Sequence, residues 1–197
     1  MSYLVYDAEI LRCIPQKGLN PQTHPDLDFC AGWEDFEHMG ISVIGAFDSA
    51  TRLYRVFLAD NFDEFQSLVD ECDTIVGFNS ISFDDRLCAA NGLRVTTTYD
   101  LLREVRIASG QPPDYTPGIT RSGYNLNALA HATLGRDKSG TGEMAPVLWQ
   151  RGQRGAVIDY CLRDVALTWW LYESRYGIRD PHTGEVLSLA APRGEGE

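Results

Sequence analysis

The chain opens on Tyr3-Leu4-Val5-Tyr6-Asp7-Ala8-Glu9, an apolar run that ends in two carboxylates. Strand alternation puts Tyr3, Val5, Asp7 and Glu9 on one face and Leu4, Tyr6 and Ala8 on the other. Apolar residues on both faces mark a strand covered on both sides. Asp and Glu are depleted in strands and costly to bury unpaired. A buried acid pair becomes reasonable when a cation sits on it, and hard divalent ions such as Mg²⁺ take carboxylate oxygens. A frayed strand end in water satisfies the same residues, so the pair alone leaves both readings open.

The rest of the chain must supply a core around that strand. Its 197 residues suffice for one domain, and 44% of them are apolar. No run approaches the ~20 apolar residues of a membrane span, and no charged-then-apolar leader is seen. Cys13, Cys30, Cys72, Cys88 and Cys161 are scattered, odd in number and without CxxC spacing. They fit reduced thiols of a cytoplasmic protein better than a disulfide frame or a zinc site. The net charge of −11 argues against coating nucleic acid electrostatically. It does not exclude an enzyme that acts on nucleic acid through bound cations, which reverse the local sign.

Residues 11–38 are punctuated by Pro15, Gly18, Pro21, Pro25 and Gly32 and read as a long surface excursion. Such loops are often functional, and this one is placed to border a substrate groove. Met39–Phe47 and Leu53–Leu58 read as strands joined by a turn at Asp48-Ser49-Ala50-Thr51. Asn61–Glu71 reads as a helix capped by Asp60 or Asn61, Thr74–Phe78 as a buried strand, and Phe83–Asn91 as a helix closed by Gly92. Val95–Tyr99 reads as a short strand and Asp100 as the cap of a helix to about Ile107. A Pro/Gly-rich loop over 108–123 precedes a helix over Asn125–Leu134 ended by Gly135. Pro146 suits the start of a short helix to Arg151, and Ala156–Tyr176 is the last long helix. The expected fold is α/β: a mixed five-stranded sheet, antiparallel meander then parallel strands, flanked by helices. It forms one domain over 1–190, and 191–197 has the composition of a disordered tail.

Two further stretches carry chemistry. In Gly77-Phe78-Asn79-Ser80-Ile81-Ser82-Phe83-Asp84, a buried strand ends beside Asn79 and Asp84 lies near the next helix start. Carboxyl ends of strands are where open α/β sheets bind ligands. Helix capping accounts for Asp84 or Asp85 equally well, and Asp85 reads as the structural one. In Asp159-Tyr160-Cys161-Leu162-Arg163-Asp164, Tyr160 and Asp164 project from one helix face, one turn apart. Asp159 and Arg163 have the same spacing and read as a solvated ion pair. Val157, Cys161, Val165 and Trp169 form an adjoining core stripe.

Together, Asp7-Ala8-Glu9, Asn79-x4-Asp84 and Tyr160-x3-Asp164 in an Ile-x-Tyr-Cys-x-x-Asp-Val context resemble the tyrosine-bearing (DEDDy) branch of the DEDD 3′–5′ exonucleases. That superfamily has a ribonuclease H-like fold. Lys138-Ser139-Gly140-Thr141-Gly142 and Val147–Gly152 further resemble a subgroup of bacterial and phage nucleases related to the exonuclease domain of B-family DNA polymerases and often linked to helicases. The resemblance covers roughly residues 3–176, and its departures are the long first loop and the absence of an attached polymerase or helicase domain.

The resemblance implies two divalent ions, Mg²⁺ or Mn²⁺, held by Asp7, Glu9, Asp84 and Asp164. Tyr160 orients the attacking water, and Glu9 also reaches the terminal 3′-hydroxyl. The implied activity is metal-dependent hydrolysis of nucleic acid from a free 3′ end, with single-stranded DNA favoured over RNA. The products are nucleoside 5′-monophosphates, and a helicase or polymerase is a possible partner. Asn79, Phe83, Tyr124 and Asn125 are candidates for the nucleotide pocket, with Asn125 equally readable as a helix cap. Arg121, Lys138, Arg151 and Arg154 are candidates for phosphate contact or surface charge. His24, His38, His131 and His182 show no ligand spacing, and His131 reads as packed. Three alternatives share these residues: a structure-selective endonuclease, a hydrolase of short oligonucleotides, and a non-catalytic nucleic-acid-binding module.

Overall fold

The structure, a computed structural model, describes residues 2–138 and 142–192. Ser139, Gly140 and Thr141 of the Lys138–Gly142 stretch, and the expected tail after Pro192, lie outside the described residues. The opening segment forms β1 (Tyr3–Ile10), the middle strand of a mixed five-stranded sheet. Antiparallel β2 (Ile41–Asp48) and β3 (Leu53–Phe57) lie on one side of it. Parallel β4 (Thr74–Gly77) and β5 (Tyr99–Asp100) lie on the other. The order is β3-β2-β1-β4-β5, the meander followed by parallel strands that the sequence predicts.

The helices are α1 (Phe36–Met39), α2 (Phe62–Glu71), α3 (Asp84–Ala90), α4 (Leu101–Ala108), α5 (Leu126–Leu134), α6 (Ala145–Gln150) and α7 (Arg154–Glu173). They cover both faces of the sheet, as the two apolar faces of β1 require. Leu4, Tyr6, Ala8 and Ile10 pack with Phe65 of α2 and with Leu87 and Cys88 of α3. Val5, on the opposite face, packs with Leu102 and Val105 of α4, Leu129 of α5, and Val165 and Leu171 of α7. Each fully buried Leu, Ile or Phe stabilises the fold by roughly 1.5–3 kcal/mol. No helix among the described residues is long and apolar enough to cross a membrane.

Two glycines set the close approaches on which the site depends. Gly45 of β2 lies opposite Asp7, and a Cβ there would stand 2.9 Å from Cys161 Sγ and 3.3 Å from Val165 Cγ2. The missing side chain lets α7 lie directly on the sheet beside the end of β1. Gly77 closes β4, where a Cβ would stand 2.1 Å from Ser80 Oγ. The chain folds sharply back there and enters α3.

Several elements differ from their expected forms for local reasons. The Val95–Tyr99 strand shrinks to Tyr99–Asp100 because threonine hydroxyls replace its ladder. Thr98 Oγ1 accepts from Ile75 N (3.0 Å), and Thr97 binds Asp85 through both its N–H and its hydroxyl. Asn61 stands at the start of α2, but its Oδ1 accepts from Leu58 N (2.7 Å) and not from the helix. The last helix starts earlier and ends at Glu173, where the Ser174–Gly177 turn (Gly177 N to Ser174 O, 2.8 Å) leads into an unforeseen hairpin, β6 (Ile178–Arg179) and β7 (Val186–Leu187). The 11–38 excursion is not free. Cys13 bridges Phe29, α1 closes the segment, and Gln150 of α6 clamps it by donating to Leu11 O and Asp28 O and accepting from Asp28 N.

Candidate active site

β1 is eight residues long, and its parallel pairing with β4 runs only from Tyr3 to Val5. Its carboxyl end therefore overhangs β4 and presents Asp7 and Glu9 at the rim of the sheet. Asp84, at the start of α3, fills the space beside this overhang. Its Oδ1 accepts from the Ala8 N–H (3.1 Å), a donor that no neighbouring strand claims on that side. A buried hydrogen bond of this kind contributes about 0.5–1.5 kcal/mol. From above, α7 delivers Tyr160 and Asp164. The three sequence motifs thus converge on one place, and all five residues line an open cleft of about 450 Å³.

The cluster is short of hydrogen-bond partners. Asp7 Oδ2, Asp164 Oδ1 and Tyr160 OH are buried and meet none among the described residues. Buried polar atoms are nearly always paired, so three orphans in one cleft mark a place for a ligand. Burial raises the Asp7 carboxyl from its ordinary 3.8 to about 7, and the Asp164 charge adds to this. Burial, and then the Asp7 charge, pushes both Glu9 and Asp84 well above the carboxylate range. Burial raises Asp164 too, against the pull of Lys138. The Tyr160 phenol is driven up by burial and by the Asp164 charge, so it stays protonated and acts as a hydrogen-bond donor. Four carboxylates whose ionisation is this unfavourable call for positive charge.

Part of that charge comes from Lys138, whose Nζ lies 2.5 Å from Asp164 Oδ2 and 4.8 Å from the centre of the Tyr160 ring. A divalent ion fits the remainder. Single ligand atoms of Asp7, Glu9 and Cys161 lie within 4.8 Å of one another. The Cys161 thiol points at Asp7 O (3.4 Å) and is held protonated by burial and the neighbouring acids, so the carboxylates are the ligands on offer. Oxygen donors of this kind suit Mg²⁺ or Mn²⁺.

The expected nucleotide-pocket residues line the same cleft. Asn79 takes a left-handed backbone (φ 63°), a conformation that Asn tolerates, at the turn after β4. Asp100 holds that turn by accepting from Asn79 N and Ile81 N while capping α4 through Leu102 N and Arg103 N. The Tyr124 ring faces the cleft, but its hydroxyl is committed to Asp180 Oδ2 (2.7 Å). Asn125 caps α5 by accepting from Ala128 N (2.9 Å). Phe83 sits between Trp33 (6.1 Å) and Phe36 (5.5 Å), both on edge-to-face geometry. Trp33 brings the long first loop to the rim of the cleft, as expected of a bordering segment. An adjoining cavity of about 250 Å³ has walls from Ile10, Ile14, Trp33, Phe83 and Pro146, and Glu9 opens onto it.

Other expected residues fall elsewhere. Asp85 is structural, accepting from Tyr6 OH (2.5 Å) and Thr97. Arg163 pairs with Asp159 (2.8 Å) in solvent. Arg151 pairs with Asp26, Arg154 lies over Trp149, and neither these nor Arg121 lines the cleft. His131 is exposed and bonded to Asp137, not packed, because it sits on the outer side of α5. Sequence reasoning offers Lys138 as a phosphate contact or surface charge, not as the partner of Asp164, and gives Cys161 beside Asp7, the brace at Asp100 and Arg106 in the cleft wall no place in the site. Their partners are distant in the chain.

No protein-family model matches the chain, and no curated protein matches it. A solved structure does: the family B DNA polymerase from the hyperthermophilic archaeon Pyrobaculum calidifontis superposes with a TM-score of 0.58 and 19% identity. The match covers 88% of this chain and 24% of the polymerase chain, so this protein spans about a quarter of that enzyme. The likeness is one of fold, and the mixed sheet and flanking helices are of the ribonuclease H-like kind.

Proposed function

We propose that the protein is a metal-dependent 3′–5′ exonuclease that hydrolyses single-stranded nucleic acid to nucleoside 5′-monophosphates. The observation that carries this reading is the cluster of Asp7, Glu9, Asp84 and Asp164, with orphaned oxygens on Asp7 and Asp164 and an orphaned phenol on Tyr160 beside them. The four carboxylates would hold two divalent ions, which supply a hydroxide near neutral pH and stabilise the attacking and leaving oxygens of an in-line displacement.

The chain's own side chains do the remaining work. Tyr160, kept protonated, donates a hydrogen bond that orients the attacking water. It is not the base, since its proton is held more tightly than that of an ordinary phenol. Lys138 neutralises Asp164 before substrate arrives and is near enough to meet the reacting phosphate. Asp84 is fixed by the Ala8 N–H, so its free oxygen keeps a constant direction. Phe83 and Trp33 offer aromatic surface for a base, and base–aromatic stacking contributes about 1–3 kcal/mol. Glu9, between that cavity and the carboxylates, is placed to accept a hydrogen bond from a terminal 3′-hydroxyl. The likeness of fold to part of a DNA polymerase chain accords with a nucleic-acid substrate.

The test is digestion of 5′-labelled single-stranded DNA and its RNA counterpart with Mg²⁺, Mn²⁺ or EDTA, wild type beside Asp84→Asn. A metal-dependent ladder that shortens from the 3′ end and vanishes in Asp84→Asn is the expected result. Equal cutting of a 3′-blocked or circular strand would instead identify an endonuclease.

A further inference from the structure

The wall of the cleft also carries Arg106. It stands on α4 one turn after Leu102, and both side chains line the cleft. Its Nη1 donates to Pro113 O (3.2 Å), while its Nε is buried and meets no acceptor. No carboxylate among the described residues forms an ion pair with it, although the chain carries a net charge of −11. Besides Lys138, it is the one lysine or arginine among the described residues that line the cleft.

Its position is fixed relative to the carboxylates. Asp100 bonds at once to the N–H groups that begin α4 and to those of Asn79 and Ile81, so α4 and the turn leading to Asp84 form one unit. Arg106 therefore lies on the β5 side of the cleft, two strands from β1. At ~4.8 Å between strands, β5, from which α4 leaves the sheet, lies roughly 10 Å across the sheet from β1. A phosphate at the carboxylates would be served by the ions that Asp7, Glu9, Asp84 and Asp164 would hold and by Lys138. The next phosphates along a strand enter an acidic cleft and need a cation of their own. A guanidinium with an unused N–H offers the forked geometry that phosphate oxygens accept.

We propose that Arg106 holds a backbone phosphate of single-stranded nucleic acid upstream of the scissile bond, and so forms a second, metal-independent anchor for the strand. The proposal rests on the nuclease reading for the direction of the strand, not for the existence of the contact.

The test compares wild type, Arg106→Gln and Arg106→Lys on a single-stranded hexanucleotide and on thymidine 5′-p-nitrophenyl phosphate, which has no upstream phosphate. Arg106→Gln should raise KM for the hexanucleotide about tenfold with little change in kcat, and this loss should exceed any loss on the nucleoside ester. Its plot of log(kcat/KM) against log[salt] should be shallower by about 0.7, the value of one single-strand phosphate contact. Arg106→Lys should recover the slope. Equal losses on both substrates, or an unchanged slope, would overturn the proposal and leave Arg106 as a brace for Pro113. If wild type cleaves neither substrate, the nuclease reading fails and fluorescence anisotropy of the hexanucleotide in Ca²⁺ decides the contact separately. Weaker, less salt-dependent binding by Arg106→Gln supports it, and equal binding or no binding by wild type overturns it.

Discussion

Replacing Asp7 by Asn should make the metal-free protein more stable, although it removes a residue central to the proposed chemistry. Burial and the Asp164 charge raise the Asp7 carboxyl from 3.8 to about 7. A carboxyl raised on folding stabilises the native state in its protonated form. That contribution is full below the unfolded value and is lost as pH rises from about 4 through about 7. Three decades at 1.36 kcal/mol each give roughly 4 kcal/mol as the cost of ionising Asp7 in the empty site at pH 8. Partial solvent contact at the cleft, and a charge burden shared with Glu9 and Asp84, reduce the gain from a single substitution to about 2–4 kcal/mol. For a chain of this size that is about 5–15 °C in Tm. The assay is thermal unfolding in EDTA at pH 5 and pH 8, wild type beside Asp7→Asn, repeated in 10 mM Mg²⁺ (a concentration of about this order saturates weak carboxylate sites). Wild type should lose stability between pH 5 and pH 8 and regain it with Mg²⁺, while Asp7→Asn should be more stable at pH 8 and indifferent to Mg²⁺. A lower Tm for Asp7→Asn in EDTA at pH 8, with no pH dependence in wild type, would refute the reasoning that the cluster is a store of unpaired charge.

Other consequences follow from the same geometry. Gly45→Ala places a Cβ 2.9 Å from Cys161 Sγ, so it should lift α7, cost about 1–3 kcal/mol in denaturant unfolding and reduce nuclease rate through displaced Tyr160 and Asp164. Tyr160→Phe should lower kcat about ten- to a hundredfold, the worth of one orienting hydrogen bond, while Mn²⁺ affinity measured by calorimetry stays within about twofold. Asp85→Ala leaves Tyr6 and Thr97 without their acceptor and should cost about 1–3 kcal/mol of stability without abolishing Mn²⁺ binding. Gln150→Ala removes the clamp on Leu11 and Asp28 and should hasten proteolytic cutting between residues 15 and 30, read by mass spectrometry.

The parts of the site legible in the sequence were those whose pattern is local. An apolar strand ending in Asp7 and Glu9, an Asn79-x4-Asp84 turn and a helical Tyr160-x3-Asp164 pair each carry their geometry within a few residues. The sheet was legible for the same reason, since a meander followed by β-α-β units leaves few ways to order the strands. What escaped depends on distant partners. Asp100 has the sequence appearance of a helix cap, and only the fold shows that it also holds Asn79 and Ile81. Val95–Tyr99 has strand composition, but its threonine hydroxyls take over the ladder. The β6–β7 hairpin, whose Asp180 fixes the Tyr124 hydroxyl and whose His182 binds Ser122 O, is too short to leave a periodic signal. Arg106 carries no motif and gains meaning only from the cleft that α4 helps to form.

The proposed chemistry requires the orphaned oxygens of Asp7 and Asp164 to be sites for ions. Calorimetric titration of the metal-free protein with Mn²⁺ at pH 7.5 (a pH near the ordinary optimum of protein stability, about 5–8), beside Asp7→Ala and Asp164→Ala, tests this directly. Wild type should bind saturably, with proton release from the raised carboxyls, and both variants should lose the signal. Absence of binding to wild type, or binding that persists unchanged in both variants, would contradict the proposed chemistry.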